Sequence, residues 1–181
     1  MAKNIFPGKI QHIFGYSNST ALFKLYVDLD QVLVDWDGAV KKLTGEDLGW
    51  DDPEDKKNRI YKAIDDAGPN FWSEMKWLSD EKGGRKLWKI MKPFNPVLLS
   101  SPGKFRYAEQ GKKEWVKSHT PGTTLFLTPD KYEFAERDAV LIDDNEDNIR
   151  AWRDAGGIGI LHKDTDSTEV ALLSLLSPRE V

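Results

Sequence analysis

Residues 24–38 read K-L-Y-V-D-L-D-Q-V-L-V-D-W-D-G. Leu25, Tyr26 and Val27 form an apolar run that exits abruptly into Asp28 and Asp30. A continuous apolar run with such an exit predicts a strand buried on both faces, as in a parallel sheet. In open α/β sheets the reactive groups collect beyond the carboxyl ends of the strands. Two carboxylates one residue apart can then take separate tasks, one as nucleophile or metal ligand and the other as proton donor. A strand end followed by a capping aspartate explains the pair equally well, so the remainder of the chain has to decide.

Outward from this stretch the same pattern recurs. Val97-Leu98-Leu99 predicts a second buried strand, ending in Ser100-Ser101-Pro102-Gly103. A helix follows from about Phe105 to Ser118, with Trp115 and Val116 inward and Lys104, Lys112, Lys113 and Lys117 outside. Thr124 to Leu127 ends in Thr128-Pro129-Asp130-Lys131, and Ala139 to Ile142 ends in Asp143-Asp144-Asn145. Glu146 to Ala155 carries Ile149 and Trp152 on one helical face, Ile158 to Leu161 makes a last strand, and Asp166-Ser167-Thr168-Glu169 has the form of a capping box before a final helix. Short buried strands alternating with helices predict an α/β fold, a doubly wound parallel sheet of about five strands.

Between the first two strands, residues 39–94 differ in character, being rich in charge and tryptophan. Asp52-Pro53-Glu54-Asp55 reads as a helix start, and Ile60, Ala63, Ile64 and Ala67 supply its amphipathic face until Gly68-Pro69 stops it. Phe71, Trp72, Met75 and Trp77 cluster next, and Ser79 reads as opening a second helix with Leu87, Ile90 and Met91 on its apolar side. The expected organisation is therefore an arm at 1–23, a core formed by 24–38 and 95–181, and a small helical cap at 39–94.

Composition narrows the function. The 181 residues carry a net charge of −4, which gives no support for a nucleic-acid-coating surface. No cysteine is present, so thiolate metal sites and disulfides are excluded. No window approaches the ~18 apolar residues of a membrane span, and the default expectation is a cytoplasmic protein. His12, His119 and His162 have no metal-ligand spacing.

Four strand ends thus carry Asp28 and Asp30, Ser100, Lys131, and Asp143 and Asp144. Along one edge of a parallel sheet they can meet in a single pocket. Carboxylates from two strands make an all-oxygen site suited to Mg²⁺, while a hydroxyl and a lysine supply donors to phosphoryl oxygens.

At these residues the sequence resembles the haloacid dehalogenase superfamily of phosphotransferases. Its first motif, DxDx(T/V)L, stands as Asp28-Leu29-Asp30-Gln31-Val32-Leu33, its second as Ser100, its third as Lys131 and its fourth as Leu141-Ile142-Asp143-Asp144. Within the superfamily the chain is most similar to the 5′(3′)-deoxyribonucleotidases. That likeness lies in Asp30 to Trp36, Leu99 to Pro102, Lys113 to Val116, Leu127 to Lys131 and Leu141 to Asp144, with the 39–94 segment in the place of the small cap. Gln31 departs from the usual glycine, and Ser100 stands where threonine is usual.

The resemblance implies an Mg²⁺-dependent phosphomonoesterase acting on (deoxy)nucleoside monophosphates through an aspartyl-phosphate on Asp28. Asp30 is then the acid and base, Ser100, Ser101 and Lys131 hold the phosphoryl group, and Asp28, Asp30, Asp143 and Asp144 serve the metal, Asp30 through its carbonyl. Trp36, with Phe71 and Trp72 from the cap, is placed to contact a base. A sugar phosphatase, an enzyme for nucleic-acid 3′-phosphate ends and a non-catalytic binding protein on the same fold are the alternatives; the acidic balance disfavours stable nucleic-acid binding. Base, sugar and oligomeric state are not determined by the sequence.

Overall fold

The computed structural model describes residues 23–176, and the expected arm lies almost wholly outside them. Five parallel strands form one sheet: β1 (Lys24–Val27), β2 (Val97–Ser100), β3 (Leu125–Leu127), β4 (Ala139–Asp143) and β5 (Ile158–Leu161). Their order is β3-β2-β1-β4-β5, so the first strand is central and the chain winds away from it in both directions. Val27 stands opposite Leu98 on one side and Ile142 on the other. All three side chains are buried, which explains the unbroken apolar runs. The expected doubly wound α/β architecture is the observed one.

Alternation along each strand divides the core. Leu99, Ala139 and Leu141 pack with Ile149 and Trp152 of α6 (Glu146–Asp154), the last donating from its indole Nε1 to the Ala139 carbonyl. Val27, Leu98, Val140 and Ile142 face the opposite layer, which contains Trp115 and Val116 of α5 (Ala108–His119) and Leu172 of α7 (Thr165–Ser174).

Between β1 and β2 the chain forms α1 (Trp36–Thr44), α2 (Glu54–Ala67), α3 (Pro69–Ser73), α4 (Gly84–Met91) and a 3₁₀ turn (Lys92–Phe94). The outgoing and returning chains of this insertion are tied together. Val34 pairs antiparallel with Trp77, Asp35 N donates to the Lys76 carbonyl, and Leu78 N donates to the Leu33 carbonyl. No helix among the described residues is long and apolar enough to cross a membrane.

Several element boundaries differ from expectation for local reasons. The helix after β1 starts at Trp36 because the Asp35 carboxylate accepts from Gly38 N and caps it. The helix expected at Ser79 begins only at Gly84, since residues 79–83 form a turn bonded to the C-terminal segment. The helix after β2 starts at Ala108, not Phe105, because the preceding loop docks on the insertion: Arg106 N donates to the Asp65 carboxylate, and Lys104 lies over the Tyr61 ring. The cap of α7 is Asp164, which accepts from Ser167 N, and not the Asp166 box. Asp52 does not cap α2 either; its carboxylate accepts from Gly49 N and pairs with Lys56.

Candidate active site

Asp28 is the first residue beyond β1, and its N–H still donates to the Ile142 carbonyl, which fixes it on the sheet edge. The chain then turns sharply, with Leu33 N and Val34 N both donating to the Leu29 carbonyl. Gln31 sits in this turn with φ +56°, a left-handed conformation that glycine adopts without strain. Asp30 emerges from the same turn.

Lys131, at the start of the 3₁₀ turn Lys131–Phe134, is 3 % exposed. Its Nζ lies 2.8 Å from Asp28 Oδ1 and 2.6 Å from Asp143 Oδ2. Burial alone would lower this ammonium, but the two carboxylates outweigh it and hold the group well above the ordinary lysine value. Asp143 also accepts from Asn145 N at 2.9 Å, and Asn148 Nδ2 reaches its two oxygens at 3.2 and 3.1 Å. Burial, and then the Asp28 charge, push Asp143 upward against Lys131.

Asp28, Asp143 and Asp144 each offer an oxygen within 4.8 Å of the others. Asp144 is exposed as a residue, yet one of its carboxylate oxygens lies beside those of Asp28 and Asp143. There desolvation, and then the charges of Asp28 and Asp143, push it up to about 7. Three carboxylates so close favour a divalent cation, and an all-oxygen set suits Mg²⁺. Asp30 Oδ1 is buried with no hydrogen bond directed at it, while Asp28 Oδ1 is met by the Lys131 ammonium.

Ser100 ends β2 and Ser101 follows it. The structure brings these two together with a residue that was expected to lie outside. Lys112 of α5 is 1 % exposed, and its Nζ contacts Asp30 Oδ2 at 2.6 Å, Ser100 Oγ at 3.0 Å and the Ser101 carbonyl at 2.6 Å. Its contact with Ser100 Oγ leaves the serine hydroxyl hydrogen free for another acceptor. Ser101 Oγ accepts from Gly103 N. Burial raises the Asp30 carboxyl, Lys112 opposes that, and the Asp28 charge adds to it.

The signal for Lys112 was present in the sequence. Its spacing from Ala108, Trp115 and Val116 puts it on the buried stripe of α5, and a lysine on such a stripe requires a carboxylate to meet it. Asn148, in the first turn of α6, was likewise missed; its amide donates to Asp143, sharing Oδ2 with Lys131.

The three aromatic residues expected at a base do not form a sandwich. Trp72 is 2 % exposed and packed between Phe71 and Phe105, with centroids 5.1 Å away in each case, and Lys112 Nζ lies 5.3 Å from its ring. It presents no free face, which corrects the expectation for that residue. Trp36 packs against the core at the head of α1. Phe71 borders a cleft of about 560 Å³ between α1 and α3 that Asp35, Asn70 and Glu74 also line.

Comparison with known proteins adds little. No protein-family model matches the sequence, and no curated protein matches it. Among solved structures, a haloacid dehalogenase-like family hydrolase of Streptococcus pneumoniae is 13% identical, covers 88% of this chain and 100% of its own, and has a TM-score of 0.49. A hydrolase of Pseudomonas syringae is also 13% identical, covers 82% of this chain and 89% of its own, and has a TM-score of 0.46. Likeness of that degree carries no chemical argument, and the function has to be read from the site.

Proposed function

We propose that this chain is a haloacid dehalogenase-type hydrolase that cleaves small phosphate monoesters with the help of Mg²⁺. The observation that carries the proposal is the convergence, at one sheet edge, of Asp28 and Asp30, the two buried lysines that meet them, and the paired Asp143 and Asp144. Fold alone would not justify a chemistry; this arrangement of nucleophile, acid, cations and hydroxyl does.

Asp28 and Asp144 are the side chains to hold the ion, because Lys131, Asn145 and Asn148 already engage both Asp143 oxygens. When bound, Mg²⁺ neutralises phosphoryl charge that would otherwise repel an anionic nucleophile. An Asp28 oxygen attacks phosphorus as the bond to the leaving oxygen breaks, and Asp30 passes its proton to that oxygen. Water then attacks the aspartyl-phosphate, Asp30 takes the proton from the water, and phosphate departs from a regenerated Asp28. Ser100 and Lys131 donate to the phosphoryl oxygens, and Lys112 keeps Ser100 and Asp30 in register.

Nucleoside monophosphates remain the first substrates to try, supported by the motif likeness; the cleft that Phe71 lines has none of the site's carboxylates or lysines in its walls. The burial of Trp72 favours a second reading, a leaving group that needs no aromatic sandwich, such as a sugar. Phosphate release from a panel of nucleotides and sugar phosphates, with Mg²⁺ and with EDTA, decides between them. Release that requires Mg²⁺ and vanishes in Asp28→Asn supports the hydrolase; no release from any monoester overturns it.

A further inference from the structure

A buried polar cluster at the start of α7 touches the carboxylate site only through backbone, the His162 N–H donating to the Asp143 carbonyl at 2.8 Å. His162 is 4 % exposed, and Thr165 and Thr168 are fully buried. Thr165 donates from its N–H to the Glu81 carbonyl at 2.9 Å and from its hydroxyl to the Asp80 carbonyl at 2.6 Å. His162 Nε2 bonds to the Lys82 carbonyl, and Nδ1 lies 2.7 Å from Thr168 Oγ1. A carbonyl only accepts, so Nε2 carries the proton and neutral Nδ1 accepts from the threonine hydroxyl. At the rim, Lys86 pairs with Asp166 at 2.7 Å.

The bonds to the Asp80, Glu81 and Lys82 carbonyls grip one short segment, the chain returning from the insertion at residues 79–84. That segment is pressed against the turn that carries Asp30. A Cβ on Gly83 would stand 2.1 Å from the Val32 carbonyl oxygen and 3.1 Å from His162 Nε2, so the Gly83 backbone is clamped between the two. Gly84 N donates to the same Val32 carbonyl at 3.1 Å, and Val32 N donates to Leu29 within the Asp30 turn. His162, Gly83, Val32 and the Asp30 turn are thus one contiguous contact chain.

We propose that His162 is a positioning residue: its bond to the Lys82 carbonyl seats residues 82–84 against Val32 and so fixes the turn that aims Asp30. The effect on turnover rests on the hydrolase reading above; the mechanical coupling does not.

Hydrogen exchange by mass spectrometry and steady-state kinetics on the full chain test it, using His162→Asn and His162→Gln. Glutamine places an amide nitrogen where Nε2 stands and keeps the donor to Lys82, whereas asparagine reaches only the position of Nδ1. In His162→Asn, exchange should quicken roughly tenfold in both 79–84 and 29–34. Its kcat should fall roughly tenfold at unchanged KM, the cost of a slightly misaimed acid. His162→Gln should restore both. His162→Phe, which keeps a ring without the donor, replaces the asparagine variant if that one does not fold. Exchange that quickens in 79–84 but not in 29–34 overturns the proposal, as does identical behaviour of the glutamine and asparagine variants. A wild-type chain that hydrolyses no monoester defeats the hydrolase reading alone, and the exchange data still decide the coupling.

Discussion

Lys112 Nζ lies 2.6 Å from Asp30 Oδ2, with the lysine side chain 2 % exposed and the aspartate 27 % exposed. A lysine buried to this degree survives only if its charge is met, and here a carboxylate, a serine hydroxyl and a backbone carbonyl meet it together. The pair spans 82 residues, joining the turn after β1 to the middle of α5. Lys112→Met should therefore cost about 3 kcal/mol of stability, the usual penalty for breaking a buried pair, and should abolish phosphate release. Lys112→Arg should not rescue activity, because a planar fork cannot reproduce three contacts from one nitrogen. Urea unfolding and a phosphate-release assay measure both effects; an unchanged unfolding midpoint in Lys112→Met would sink the argument.

The carboxylate cluster predicts how stability responds to pH and to metal. Folded Asp144 titrates at about 7, whereas an unfolded aspartate titrates near ~3.9. Between those values the folded protein holds the extra proton, so the stability tied to Asp144 is present at low pH and is lost as pH rises toward 7. In EDTA the melting temperature should show this loss. Saturating Mg²⁺ should remove it by binding the ionised carboxylates, and should raise the melting temperature at pH 7.5. Asp144→Asn should flatten the slope and abolish the Mg²⁺ response. An equal Mg²⁺ response in that variant would place the ion elsewhere.

The sheet and its strand ends were legible because burial on both faces leaves a continuous apolar run, and because each run here stops at a polar residue. The sequence places residues 79–83 and 105–107 in helices because their partners lie far away in the chain, at Thr165 and Asp65 respectively. Periodicity reports only what a segment does with its own neighbours. Lys112 shows the same limit from the other direction: it is expected outside with the other lysines of its helix, because nothing local identifies Asp30 as a buried partner. Trp72 was read for its ring chemistry, when its packing against Phe105 and Gly111 accounts for the aromatic.

His162 titrates in the opposite sense to Asp144. Burial lowers its pKa below the ordinary value of 6.5, although the bond to the Lys82 carbonyl and the Asp164 charge work against this. The unfolded chain therefore takes up a proton first as pH falls. The stability tied to His162 is complete above about 6.5 and is lost below it. Comparing wild type with His162→Gln by thermal unfolding between pH 5 and 7.5 isolates the contribution; the variant should lose less stability at the acid end. Parallel curves would show that the imidazole titrates equally in the folded and unfolded states.

Two backbone positions should respond to substitution with opposite signs. Gln31 occupies the left-handed region at φ +56°, which costs a side-chain-bearing residue about 1 kcal/mol. Its Nε2 is also buried and makes no well-formed hydrogen bond, although it lies close enough to Asp37 to oppose the upward push of burial on that carboxyl. Gln31→Gly removes both penalties and should stabilise the protein by about 0.5–1 kcal/mol, once the added freedom of the unfolded chain is subtracted. Gly84 has φ +53°, and a Cβ there would lie 1.9 Å from the Leu78 carbonyl oxygen. That oxygen belongs to backbone already held in the ribbon with Leu33, so it cannot yield cheaply. Gly84→Ala should therefore lose about 3 kcal/mol or more. Equilibrium denaturation of the two variants beside wild type reads both predictions; a destabilised Gln31→Gly would mean that the glutamine side chain makes a contact outweighing its strain.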